Sequence, residues 1–128
     1  MQITRTKSKP PIPSDTLVLS KAVANAARLW GLSNEALGQI IGISASSASR
    51  LRAGTLHLER GTKPFELGQY LVRLFRSLDS MTGSDDSASR SWLATDNLDL
   101  DGRPIDLIRT VKGLVDVANY VDDFRAHV

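Results

Sequence analysis

The sequence predicts an all-α fold, an N-terminal helix-turn-helix bundle followed by a small helical domain. Three observations carry that expectation. Apolar residues recur at helical spacing along most of the chain, no segment sustains period-two alternation with β-branched residues, and glycines stand where the helical pattern stops.

Residues 1–14 hold Arg5, Lys7, Lys9, Pro10, Pro11 and Pro13 with few apolar groups. They cannot bury enough surface to offset ordering, which reads as a flexible basic arm. Leu19, Val23, Ala26 and Trp30 then fall at i, i+4, i+7 and i+11, one face of a helix stopped by Gly31. Two short helical pieces follow, 34–41 and 45–52, separated by Gly42, Ile43 and Ser44. Residues 54–61 carry two glycines and weak periodicity, a linker or short extended segment.

The next helix has Pro64 in its first turn, where a missing N–H is no loss. Its stripe of Leu67, Leu71, Leu74 and Leu78 is widened by Tyr70, Val72 and Phe75 beyond what a lone surface helix needs. The helix is therefore central to the core or lies at a subunit interface, and Leu67, Tyr70, Leu71, Leu74, Phe75 and Leu78 form the expected dimerisation surface. Residues 83–86 break the chain, 87–94 form a helix carrying Trp92 and Leu93, and 95–103 form a polar loop. Pro104 opens a short helix to residue 108. A last helix from 110 or 111 to 127 carries Leu114, Val117, Val121 and Phe124. The resulting division is an arm at 1–14, a helix-turn-helix domain at 15–61, a connecting and dimerisation helix at 62–82, and a second helical domain at 83–128.

Composition narrows the function. The 128 residues have room for one domain or two very small ones sharing a core, and 41% apolar content suffices to build it. Absence of cysteine excludes disulfides, thiolate nucleophiles and cysteine-ligated metal, and His57 and His127 alone cannot make a histidine-rich site. No apolar run is long enough to span a bilayer, and the basic, proline-rich start is not a signal peptide, so the expected location is cytoplasmic. No phosphate-cradling loop, triad or metal constellation is present, so neither catalysis nor a cofactor is expected. Asn97, Asp99, Asp101 and Gly102 match the first half of an EF-hand loop, but Ile108 stands where a bidentate carboxylate is required, which argues against calcium.

The net charge of +2 conceals a division. Residues 1–60 hold eight Lys/Arg against three carboxylates, and residues 61–128 hold eight against eleven. A basic front half suits phosphates; an acidic back half would be repelled by them.

Residues 34–54 carry the strongest local motif. A helix-turn-helix needs a small residue where the helices touch, a turn glycine four residues on, and apolar residues at fixed offsets. Gly38 is the contact residue and Gly42 the turn glycine, while Leu37, Ile41, Ile43, Ala48 and Leu51 fill the apolar offsets. Ser44 supplies the N-cap oxygen of the second helix and belongs to the expected DNA-binding set. Ser46, Ser49 and Arg50 then point outward toward base edges, and Arg52 toward a phosphate. One such unit reads few base pairs, so a dimer on an inverted repeat in promoter DNA is expected.

Trp92-Leu93, followed by Asn97, Leu100, Gly102, Arg103, Pro104, Asp106 and Leu107, then by Thr110, Gly113 and Val117 in a final helix, resembles the Xre/MbcA/ParS antitoxins. Asp96 and Asp101 replace a proline and a second glycine of the usual family spelling. The resemblance runs from about residue 20 to the end. It implies a two-part protein whose front binds its own promoter and whose back binds and silences a RES-type toxin, an NAD-consuming protein with an ADP-ribosyltransferase-like fold. It also implies that the end of the last helix covers the toxin's substrate entrance. Tyr120, Asp123, Phe124 and Arg125 then form the toxin-binding set, within a higher-order hetero-oligomer and without a membrane partner. Tyr120, Phe124 and Arg125 are of the types that anchor interfaces. A stand-alone repressor explains the front half alone and does not require the segment from Trp92 to Leu107.

Overall fold

The computed structural model describes residues 11–126; residues 1–10, most of the expected arm, and residues 127–128, including His127, lie outside the described residues. Seven helices occur among the described residues, with no strand beyond an isolated bridge between Asn97 and Gly102.

Helix α1 (Ser14–Trp30) starts one residue inside the expected arm, directly after Pro13, and ends at Gly31. Asp15 in its first turn accepts from Arg60 Nε at 2.7 Å, closing α1 onto the segment before α4. Helices α2 (Asn34–Ile41) and α3 (Ala45–Ala53) are capped by Ser33 and Ser44, whose hydroxyls accept from the N–H groups of Ala36 and Ser47 at 3.0 Å. Such caps contribute about 1 kcal/mol each. A Cβ at Gly38 would overlap the Ile43 carbonyl oxygen, so glycine is what lets α2 approach the turn into α3. That turn passes through Gly42 at φ +76°.

Residues 54–61 are a packed strap rather than a loose linker. Leu58 is buried, and its N–H donates to the buried Ser20 hydroxyl at 2.9 Å.

Helix α4 (Lys63–Met81), capped by Thr62, runs through the middle and packs against α1, α2 and, most extensively, α7 (Val111–Ala126). The wide apolar stripe therefore has partners within the chain. Leu67 is almost fully buried, and Leu71, Leu74 and Leu78 expose nothing. This corrects the expected dimerisation surface: those four leucines are occupied by the intramolecular core. Tyr70 and Phe75 are half-buried, Tyr70 beneath the Arg73 guanidinium and Phe75 tilted against Trp30 with centroids 5.5 Å apart. The Trp30 indole N–H is buried without an acceptor.

Helix α5 (Asp86–Ala94), capped by Asp85, leads into the loop of residues 95–103 and the single turn of α6 (Pro104–Leu107). At the start of α7, Thr110 Oγ1 accepts from the Gly113 N–H at 3.1 Å. A Cβ at Gly113 would overlap the Leu107 carbonyl, so this glycine sets the close turn between α6 and α7. Leu93, Ile108, Leu114, Val117 and Val121 join Leu19, Leu37, Leu51 and Leu74 in one continuous cluster, and the two halves share a single core.

Candidate functional site

Two surfaces are built on this frame. On α3, Ala48 and Leu51 face inward, leaving Ser46, Ser49 and Arg50 exposed on one outward face. Arg50 Nη2 donates to Ser47 Oγ at 3.0 Å, which draws the guanidinium toward the N-terminal end of the helix. Ser44 is exposed, but its hydroxyl is engaged as the α3 cap. Arg52 departs from its expected place. It is half-buried, and its Nη1 donates to the Leu32 carbonyl at 2.6 Å, tying the end of α3 to the connection between α1 and α2. Periodicity puts residue 52 on the outer face, but a long guanidinium side chain reaches back over the surface to an unpaired carbonyl.

Two arginines from the acidic half also reach this unit. Arg109 Nη1 donates to Gln39 Oε1 on α2 at 3.0 Å, and Arg90 Nη1 donates to the Leu29 carbonyl at 2.8 Å. Neither was legible in the sequence, because no periodic pattern links residues seventy and sixty-one positions apart.

The second surface is the loop of residues 95–103 and the end of α7. Asn97 Oδ1 accepts from the N–H groups of Asp99 and Leu100 at 3.0 and 3.1 Å, an Asx turn closed by the Asn97–Gly102 bridge. Asp101 adopts φ +58°, the left-handed conformation that glycine takes most readily and that aspartate tolerates better than most residues. The replacement of a glycine here therefore leaves the turn in place. Trp92 stacks on Tyr120 at 6.4 Å, and Tyr120 donates its hydroxyl proton to Asp99 at 2.9 Å. Hydrogen bonding to Asp99 and partial burial raise the Tyr120 phenol above its ordinary range. Arg103 pairs with Asp106 at 2.8 Å, and Pro104 is buried in the first turn of α6. Thus Trp92, Asn97, Gly102, Arg103, Pro104 and Asp106 build the loop, and Tyr120 holds it.

Beyond the loop, Asp123, Phe124 and Arg125 are exposed, with half of the Phe124 surface accessible. Arg125 reaches toward Ser77 Oγ at 3.5 Å. Asp122 pairs with Arg73 and accepts from the buried Ser77 hydroxyl. Partial burial pushes its carboxyl upward, but the bonds from Ser77 and Arg73 outweigh that and hold it below the ordinary range. Among the described residues no group of histidines or carboxylates is arranged to hold a metal ion, and no helix is long and apolar enough to cross a membrane.

A helix-turn-helix is thus fused through α4 to a compact helical unit. Residues 15–73 match the model of the antitoxin Xre-like helix-turn-helix domain, and residues 77–126 match that of the antitoxin Xre/MbcA/ParS C-terminal toxin-binding domain. The chain belongs to the Xre/MbcA/ParS antitoxin family. It is also similar to a chain in the crystal structure of the M. tuberculosis MbcT–MbcA toxin–antitoxin complex, at 26% identity and a TM-score of 0.57, across 87% of this chain and 96% of that one. No curated protein matches the chain in sequence. The boundary between the two family models falls inside α4.

Proposed function

We propose that this antitoxin binds and occludes an NAD-consuming RES-type toxin and represses its own operon by binding promoter DNA. The observation that carries the reading is the match of residues 77–126 to a toxin-binding domain, joined to an exposed end of α7. Phe124, half-exposed on an otherwise folded helix, is an apolar anchor, and Arg125 and Asp123 flank it. Asp122 and Tyr120 contribute indirectly, one fixing α7 to α4 and the other fixing the loop.

For DNA, Ser46, Ser49 and Arg50 are the exposed residues placed to read base edges from α3 in a major groove. Their number is small, which favours binding as a dimer to an inverted repeat.

Native mass spectrometry of the assembly purified from cells expressing the whole operon tests the proposal. A second, unrelated subunit in fixed ratio, lost on Phe124→Asp and shown to consume NAD when released, is the expected result. A chain recovered without that subunit while its operon neighbour is present overturns the toxin reading and leaves a DNA-binding regulator.

A further inference from the structure

A groove of about 940 Å³ lies between α1 and α4. Val18, Leu19, Ala22, Phe65 and Val72 line its apolar part, and Val18 is 61% exposed. Around it stand Arg60, Lys63, Arg73, Arg76 and Arg125 against Asp15 and Glu66, with Asp122 paired to Arg73, so that five cations meet three carboxylates and two positive charges remain in surplus. All of these cations but Arg60 fall in residues 61–128, and none lies on α3.

The same chain carries a surface of opposite character. Leu98 is 97% exposed at the tip of the loop of residues 95–103, the most exposed large apolar side chain among the described residues. Its neighbours are Asp96, Asp99 and Asp101. The loop is not a slack segment: Asn97 caps two of its N–H groups, the Asn97–Gly102 bridge closes it, and Tyr120 anchors Asp99. A rigid turn that holds a leucine in water between three carboxylates is complementary, in shape and in charge, to an apolar groove rimmed by arginines.

The two cannot meet within one chain. Tyr120, which holds the loop, and Arg125, which lines the groove, are five positions apart on α7 and so point roughly 140° away from each other. We infer that the loop of residues 96–101 of a second copy of this chain seats Leu98 in the groove between α1 and α4, and that two copies do so reciprocally about a two-fold axis. Each copy then gives one loop and takes one, which closes the pair. The inference rests on surface complementarity and not on the toxin or operator readings, although it supplies the pairing that an inverted repeat requires.

Sedimentation of the full chain, without DNA or toxin, tests it with two variants at exposed positions that leave the fold intact by circular dichroism. The wild-type chain is expected to sediment as a dimer at micromolar concentration. Leu98→Asp and Val18→Asp each become monomeric, because burying one leucine corresponds to about ten- to a hundredfold in association constant. Leu98→Asp keeps an intact groove and Val18→Asp an intact loop, so their mixture forms a one-to-one pair through the single remaining contact. A monomeric wild-type chain, an undiminished Leu98→Asp dimer, or a mixture that stays monomeric overturns the assignment. A monomeric wild-type chain whose toxin capture is lost on Leu98→Asp overturns it in favour of the toxin as the occupant of the loop.

Discussion

Tyr120 and Asp99, twenty-one residues apart, are joined by a 2.9 Å hydrogen bond that fastens the acidic loop to the last helix, with Trp92 stacked on the ring. The phenol thus acts as a clamp on the loop. Tyr120→Phe keeps the stack and releases Asp99, and should cost about 1 kcal/mol in a denaturant titration. It should leave toxin neutralisation largely intact, whereas Phe124→Asp should abolish neutralisation with little change in stability. Equal loss of neutralisation in both variants would place the Tyr120 hydroxyl in the interface itself.

Asp122 predicts an acid-sensitive joint between α4 and α7. Its folded-state pKa lies below the ordinary value of 3.8, since the bonds from Ser77 and Arg73 outweigh its partial burial. A lowered folded value means that its contribution is complete above the unfolded pKa and is lost as pH falls through the folded one. The stability gap between the wild-type chain and Asp122→Asn should be about 1 kcal/mol at neutral pH and should close in strong acid. A gap that is constant with pH would mean that the carboxylate charge contributes nothing.

Arg50 and Arg52 separate by experiment. Arg50→Ala should weaken promoter binding by about 1–3 kcal/mol in a fluorescence anisotropy titration at moderate salt, with the melting temperature unchanged. Arg52→Ala should act first on stability, since it leaves the Leu32 carbonyl without its 2.6 Å donor, at about 1 kcal/mol. Similar losses of affinity at unchanged melting temperature would restore Arg52 to the phosphate-contacting role its position suggested.

The two turns around α6 predict opposite signs. Asp101→Gly relieves a left-handed conformation and should be neutral or stabilising by up to about 1 kcal/mol. Gly113→Ala forces a methyl group onto the Leu107 carbonyl and should destabilise by about 1–3 kcal/mol. Thermal melts of the two variants decide both.

Helix positions were legible because period and punctuation agree. Gly31, Gly42 and Gly54 end their helices in the left-handed conformation, and α2, α3 and α5 fall within a residue of where their periodicity places them. The breadth of the α4 stripe was legible too, but not its meaning. A helix that meets α1, α2 and α7 needs as wide an apolar face as one at a subunit interface, and periodicity does not distinguish the two. The polar joints left no trace in the sequence. Ser77 with Asp122, Ser20 with Leu58, and Arg109 with Gln39 are each brought together only by the tertiary fold. At the candidate sites, outward-facing residues on α3 could be named from spacing, and the acidic loop through its motif. That Tyr120 and Arg52 brace the structure, and that Leu98 stands bare, depends on side-chain paths.

Because the boundary between the two family models lies within α4, the protein has no seam at which it can be cut into independent working parts. Leu71, Leu74 and Leu78 on that helix lie in the same core cluster as Leu37 of the helix-turn-helix unit and Val117 and Val121 of α7. A protease that nicks α7 would strip the cover from a helix that α1 and α2 also rest on. Turnover of such a chain would therefore be all-or-nothing: both ends would lose their shape in one event, with no surviving fragment that keeps half of the activity.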